Sequence, residues 1–182
     1  MDEVPELFKE VNRLLTNRLL PAVKYKGNIK KRRISFGLTN LKYGRPPHVC
    51  LNNLKYSELY LALRHLGDAI CPFAYDAMTV TQHGQFPELD HTVKGSLGNS
   101  MIVTGGDYRA GDFVLEGERI NTQYRPLVFD MKRGHRHEPF VGFRWSIVFF
   151  KLEVSSKWLD QFPADVNDPN REWSLMDPPE FA

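Results

Sequence analysis

The stretch Asp90-His91-Thr92-Val93-Lys94-Gly95-Ser96-Leu97-Gly98-Asn99-Ser100 decides how this chain is read. It is taken with a second, His135-Arg136-His137-Glu138-Pro139-Phe140-Val141-Gly142-Phe143-Arg144-Trp145-Ser146. Side chains alternate faces along an extended strand, so His91 and residue 93 point the same way, and two ligands at that spacing can chelate one metal ion. Such a site requires an acid at position 93, where the chain has valine. The second stretch reads as a histidine, a turn spanning Pro139 to Gly142, and a return strand that runs into Ile147-Val148-Phe149-Phe150. Alternation along that strand sets Arg144, Ser146 and Val148 on one face and Trp145, Ile147 and Phe149 on the other. An inward arginine with a serine two residues on is a carboxylate clamp, because guanidinium binds carboxylate through paired charge-assisted bonds and the hydroxyl adds a third donor. The two stretches are therefore expected to form two halves of one pocket, in which His91, His135 and Arg144 converge.

The bulk of the chain suits that picture. A length of 182 residues, 42% hydrophobic and 25% charged, is that of one soluble globular domain with a sizeable core. No run of about 18 apolar residues is present, so no membrane span is expected. The start, Met1-Asp2-Glu3-Val4-Pro5-Glu6, is acidic where a signal peptide is basic. An intracellular location, cytoplasmic or nuclear, is the expectation. Cys50 and Cys71 lack Cys-X-X-Cys spacing, which suits reduced thiols and offers no zinc site. A net charge of +2 permits nucleic-acid binding without demanding it.

Residues 5–20 place Leu7, Val11, Leu14 and Leu15 at helical spacing, with Pro5 and Glu6 suited to the first turn. The basic run Lys24 to Arg33 follows, interrupted by Tyr25. Its Lys30, Lys31, Arg32 and Arg33 could contact a phosphate backbone; equally, the run could be a solvated loop between helix and strand. Ile34 to Leu41 has strand character, and Tyr43 to Pro47 is a loop. Ser57 is placed as the cap of a helix carrying Leu59, Leu63 and Leu66 on one stripe, with Gly67 as its end. Phe73 to Thr81 reads as a strand and Gly84 to Leu89 as a loop. Met101–Thr104, Phe113–Leu115, Pro126–Asp130 and Arg144–Leu152 are short strands between glycine-rich turns, the pattern of a jelly roll. Beyond residue 155 the chain turns polar and proline-rich, and a helical turn and a surface tail anchored by Trp158 and Trp173 are expected.

His91, the Gly98-Asn99-Ser100 turn, the hairpin Gly106-Asp107-Tyr108-Arg109-Ala110-Gly111-Asp112-Phe113, His135 and, nine residues on, Arg144 together resemble the Fe(II)/2-oxoglutarate dioxygenases. More narrowly they resemble the branch that oxidises thymine or 5-methylcytosine, the ten-eleven-translocation and J-binding-protein type. The resemblance covers roughly residues 75–151. It implies a mainly β fold with flanking helices, a double-stranded β-helix of jelly-roll or cupin-like form. Residues 1–182 would then be a single domain, with 1–70 a helical support and basic loop, 71–155 the β-helix core and 156–182 a tail. It implies Fe(II) held by His91 and His135, and 2-oxoglutarate held by Arg144 and Ser146. Thr81 stands where the family often has an asparagine that helps to hold this cosubstrate. DNA or RNA is the implied macromolecular partner.

The chain departs from the family pattern at two places: Val93 stands where the aspartate ligand belongs, and Ala110 replaces a hairpin glycine. Glu88 or a bound anion could substitute for the missing acid, or the metal chemistry could be gone. Without the resemblance, His91 and His135 read as core histidines and Arg144 as a buried arginine paired with an acid such as Asp130. Two classes of function therefore stay open. One is an enzyme that oxidises a nucleobase methyl group; the other is a non-catalytic relative that binds nucleic acid or protein.

Overall fold

The computed structural model describes residues 3–25, 29–39, 46–83 and 96–170. His91, Val93, Glu88, the expected 84–89 loop and Trp173 lie outside the described residues, as do the side chains of Lys30 and Lys31. A short 3-10 turn, Glu6–Phe8, leads into helix α1 (Lys9–Asn17). Strands β1 (Ala22–Tyr25), β2 (Ile29–Thr39) and β3 (His48–Val49) follow, then helices α2 (Asn52–Lys55) and α3 (Ser57–Ile70). Strands β4 (Ala77–His83) and β5 (Ser96–Gly105) are long. Six short strands come next: β6 (Tyr108–Ala110), β7 (Phe113–Leu115), β8 (Glu118–Ile120), β9 (Leu127–Phe129), β10 (His135–His137) and β11 (Phe140–Gly142). The last strand is β12 (Arg144–Leu152), after which a 3-10 turn spans Ser156–Gln161.

The major sheet runs β1-β2-β4-β12-β5-β9, with β3 beside β2. Two small sheets, β10-β7-β8 and β11-β6, complete the β structure among the described residues. Every named strand pair is antiparallel. The registers align whole rows across the major sheet: Ile34, Val80, Ile147 and Val103 form one, and Phe36, Met78, Phe149 and Met101 another. These apolar rows share one face, against which α1 packs Val11, Leu14 and Leu15 and α3 packs Leu59, Leu63 and Leu66. Each such side chain, fully buried, contributes about 1.5–3 kcal/mol.

The rows between them face the other way and are polar: Arg33, Thr81, Ser146 and Thr104 form one, and Ser35 and Thr79 begin the next, which continues through Val148 and Ile102. On that side Ile102 and Phe129 of the major sheet pack with Phe113 of β7, and Val148 and Leu115 lean on the cluster. The small sheet thus lies over the polar face, enclosing the interior of the β-helix. The expected split of Arg144, Ser146 and Val148 from Trp145, Ile147 and Phe149 is what these rows display.

Two side chains lock α1 to the sheet. The buried Gln82 side chain donates to the carbonyls of Leu15 (2.7 Å) and Arg18 (2.6 Å) and accepts from the Leu20 amide (2.8 Å). It so satisfies backbone groups that the C-terminal end of a helix leaves without partners. Asn12 Oδ1 accepts from Trp145 Nε1 (3.0 Å) and from the Tyr124 hydroxyl (3.2 Å).

Five expectations are corrected by these pairings. The Gly98-Asn99-Ser100 stretch, read as a turn, lies within β5, at the register shift opposite Phe149–Lys151. The basic run is no loop: β1 and β2 pair as a hairpin with Val23 opposite Lys31 and Ala22 opposite Arg32, and β2 continues against β4. Tertiary pairing overrides a composition poor in strand signals. Gly67 does not end its helix, which continues to Ile70. It is glycine because a Cβ there would lie 2.5 Å from the Phe149 ring and from the Tyr75 hydroxyl, so α3 could not approach the sheet. Ser57 is the first helical residue, after Tyr56 in the cap position, and its side chain makes no capping bond. The segment read as a turn at 139–142 contains β11, which pairs with the distant β6, Phe140 opposite Ala110 and Gly142 opposite Tyr108. Among the described residues no helix is long and apolar enough to cross a membrane.

Candidate functional site

Arg144 opens β12 and is 2% exposed. Its guanidinium carbon lies 4.1 Å from the Phe140 ring centroid and 5.6 Å from that of Tyr108. Those two rings meet edge to face at 5.9 Å. The β11-β6 pair therefore exists, in effect, as an aromatic seat for one cation, an arrangement that stabilises guanidinium in a desolvated place. Arg144 Nη1 donates to the Gly111 carbonyl at 2.8 Å. Gly111 has φ +80°, and a Cβ on it would lie 2.8 Å from Nη1 and 2.6 Å from Phe140 Cβ. Only glycine satisfies both demands. Ala110 beside it has φ 59° with an exposed side chain. That left-handed backbone is a conformation that alanine adopts at a cost and that glycine adopts freely.

Next to this seat stand the hydroxyls of the polar row. Ser146 and Thr104 are buried, Thr81 is half-buried, and Ser146 lies directly opposite both threonines in the sheet. Thr104 Oγ1 shares hydrogen bonds with the Tyr108 hydroxyl (2.7 Å) and with Thr122 Oγ1 (3.0 Å). Burial pushes the Tyr108 phenol above its ordinary pKa, outweighing the opposing pull of Thr104 and of the Arg144 charge. Tyr108 is accordingly neutral at pH 7. A buried guanidinium with hydroxyls on the same strand face presents donors and one positive charge, which is the chemistry that holds a carboxylate. Asp130, offered from the sequence as a possible partner of Arg144, instead accepts from the Lys132 amide in its own turn (2.8 Å).

His135 and His137 face the interior from β10, at 4% and 9% exposure. His135 Nδ1 is 2.8 Å from the Arg133 carbonyl. A carbonyl can only accept, so Nδ1 is the donor and carries a proton, which leaves Nε2 as the nitrogen that could meet a metal ion. The ring packs on Phe113 and Phe129, with centroids 5.7 and 5.2 Å away. Phe113 follows Gly111 by two residues, so one short segment supports both the histidine and the arginine.

The donor set fits the carboxylate end of 2-oxoglutarate, through Arg144, Ser146 and the flanking hydroxyls. His135 could offer one nitrogen, Nε2, to a metal ion. No group of three or more metal-ligating side chains occurs among the described residues, and His91 and Val93 lie outside them. Ser146 and Arg144 share one sheet face, as strand alternation indicated, and Thr81 joins them there opposite Ser146. The basic run is divided by strand alternation. Arg33 is exposed and lies opposite Thr81, whereas Arg32 faces the helical side and donates to the Leu20 carbonyl at 2.8 Å. Sequence reasoning missed Tyr108, Phe140, Thr104 and His137. Tyr108 lies in the glycine-rich hairpin, whose composition marks a turn but does not reveal which side chain turns inward.

The sequence matches no protein-family model and no curated protein. The fold does have solved counterparts. One is NgTET1 in complex with 5mC DNA, with a TM-score of 0.51 and 11% identity over 66% of this chain and 60% of that one. Another is an oxidoreductase of the 2OG-Fe(II) oxygenase family from Burkholderia pseudomallei, with a TM-score of 0.50 and 17% identity over 72% of each chain. The chain thus spans 60% of the length of the first and 72% of the second. Identities this low speak for architecture: mainly antiparallel β with flanking helices, the chain has the double-stranded β-helix fold of the 2OG-Fe(II) oxygenases.

Proposed function

We propose that this protein is an oxygenase-like β-helix whose interior binds 2-oxoglutarate or a similar dicarboxylate, with Arg144 as the clamp and Ser146 and Thr81 beside it. The observation that carries this is the Arg144 seat: a buried guanidinium fixed by the Gly111 carbonyl and two aromatic rings, on the hydroxyl-bearing face of the sheet. By resemblance, Fe(II) belongs to the same pocket, through His91 and His135. When bound with 2-oxoglutarate, Fe(II) supplies O2-dependent oxidation of a substrate C–H bond. The substrate proposed by resemblance is a nucleobase methyl group in DNA or RNA, in keeping with the DNA held by NgTET1. The exposed Arg33, opposite Thr81, stands where the pocket face meets the edge hairpin and suits a phosphate contact.

Val93 favours a second reading, in which the protein is a non-catalytic relative that binds nucleic acid or protein through this pocket and its rim. A carboxylate bound directly to the metal contributes both a donor and a charge. Disturbing even the groups behind the ligands costs about 10 to 100-fold in affinity or activity.

Calorimetry with 2-oxoglutarate tests the pocket. Arg144→Ala should lose binding by about 3–5 kcal/mol, and Ser146→Ala by only about 0.5–1.5 kcal/mol. Equal affinity in the wild type and Arg144→Ala would remove the clamp. Succinate formation by the wild type and by Val93→Asp, with metal content measured alongside, separates the two readings. Turnover by the unmodified chain establishes an enzyme, whereas silence in both proteins leaves the binding module.

A further inference from the structure

We propose that His137 is a metal ligand alongside His135, so that the His135-x-His137 pair on β10 chelates one divalent transition-metal ion and supplies a donor, though not the charge, in place of the carboxylate that the resemblance expects at position 93. The inference rests on the oxygenase-like reading of the pocket and adds a ligand that reading does not contain.

Strand geometry comes first. The β10-β7 register sets His135 opposite Leu115 and His137 opposite Phe113, with Arg136 opposite Val114 between them. Phe113 is wholly buried in the interior cluster and Leu115 leans on it, so the two histidines share the interior face. Their burial agrees, and both rings touch the same residue, with centroids 5.7 and 5.3 Å from that of Phe113. Two imidazoles one pleat apart on a single strand face stand at the spacing that lets two side chains reach one ion, the same spacing that makes His-X-Asp a chelate.

The chemistry of the pair is all nitrogen and electrically neutral. Imidazole suits Zn(II), Cu(II), Ni(II), Co(II) and Fe(II) alike; affinity follows the intrinsic series of the metals at nitrogen and oxygen sites both, with Fe(II) near its weak end, and nitrogen donors favour the later metals further. Substituting nitrogen for oxygen thus predicts a site that takes Zn(II) or Co(II) in preference to Fe(II). Protons compete for the same nitrogens, so binding strengthens as the imidazoles are deprotonated.

The wild-type chain is titrated with Zn(II) while the ring resonances of its histidines are followed by nuclear magnetic resonance. Saturable shifts of both His135 and His137 at one equivalent are expected; movement of His135 alone, or of neither, overturns the proposal. As a second measurement, His135→Gln and His137→Gln should each lower Co(II) affinity by about 10 to 100-fold, provided near-ultraviolet circular dichroism shows both folded. Wild-type affinity in a folded His137→Gln variant also overturns it. Calorimetry of the metal-free wild type with 2-oxoglutarate keeps the two ideas apart. Dicarboxylate binding without metal binding leaves the pocket and removes the chelate, whereas metal binding at both histidines without dicarboxylate binding does the reverse.

Discussion

Replacing Ala110 by glycine should stabilise this protein, although the substitution removes a methyl group and adds chain entropy to the unfolded state. Ala110 holds φ 59° at the hairpin that carries Tyr108 and Gly111. A left-handed backbone costs a residue with a Cβ roughly 1–2 kcal/mol. Glycine escapes that cost but loses about 0.5–1 kcal/mol to its greater freedom when unfolded. The Ala110 side chain is exposed, so no buried contact is lost. The difference leaves a gain of roughly 0.5–1 kcal/mol, which in a chain of this size raises Tm by about 1–4 °C. Urea denaturation reads the same quantity as a higher midpoint at constant slope. A Tm that stays level or falls would mean that residue 110 does not occupy the left-handed region in solution, and the account of this hairpin would fail with it. The neighbouring change Gly111→Ala should act oppositely. Its methyl would meet Arg144 Nη1 and Phe140 Cβ at a position of φ +80°, costing about 2–4 kcal/mol and displacing the clamp. Adjacent residues thus respond with opposite signs to exchanges between the same two amino acids.

Gln82→Ala should destabilise by roughly 2–4 kcal/mol, because it orphans the buried Leu20 amide and two carbonyls at the end of α1 and leaves a cavity; hydrogen exchange should then show α1 opening before the sheet. Alkaline stability follows from three tyrosines, Tyr75, Tyr108 and Tyr124, whose pKa values burial raises above the ordinary 10.0. The folded state binds these phenolic protons more tightly than the unfolded one. The stability they contribute is therefore fully present below pH 10 and is lost as pH rises from there through the folded values. Denaturation midpoints that are flat from about pH 9 to 12, with phenolate absorbance appearing at the unfolded pKa near 10, would contradict this.

Legibility from sequence followed the range of the interactions. Leu59, Leu63 and Leu66 announce their stripe because helical periodicity is local, and β12 announces its two faces because alternation is local too. The residues that misled are those whose reason lies far along the chain. Gly67 reads as a stop signal, yet it is glycine for the sake of Phe149 and Tyr75. The segment Pro139 to Gly142 has the composition of a turn, yet it pairs with the distant β6. The basic run has little β propensity of its own, and β4 supplies the pairing that makes it a strand. Alternation set Arg144 and Ser146 on one strand face, and the sheet has them there, opposite in sense to Trp145. Tyr108, Phe140 and Thr104 escaped because the seat for a cation is assembled from side chains that meet only when β6, β11 and β5 are brought together.

The contrast between the two faces of the major sheet bears on what the interior is for. Val and Thr have nearly the same shape, and a jelly roll built only for stability would fill both faces as it fills the one beneath the helices, with Ile, Val, Phe and Met. Instead the interior face carries Thr81, Ser146, Thr104, Thr79 and Ser35, beside a buried arginine. Burying a hydroxyl rather than a methyl costs stability unless a hydrogen bond compensates, and a buried charge costs more. Thr104 is compensated by Tyr108 and Thr122, and Arg144 in part by Gly111. A polar occupant carrying negative charge would compensate the face as a whole, which is the energetic argument for a dicarboxylate there. The same argument does not extend to a metal ion, which needs donor atoms rather than a positive clamp. In the reading proposed above, Arg144 would serve the dicarboxylate and the histidines the metal, so the two would depend on different residues. Measuring 2-oxoglutarate affinity in this protein therefore reports the clamp and says nothing about the metal, so each has to be titrated separately.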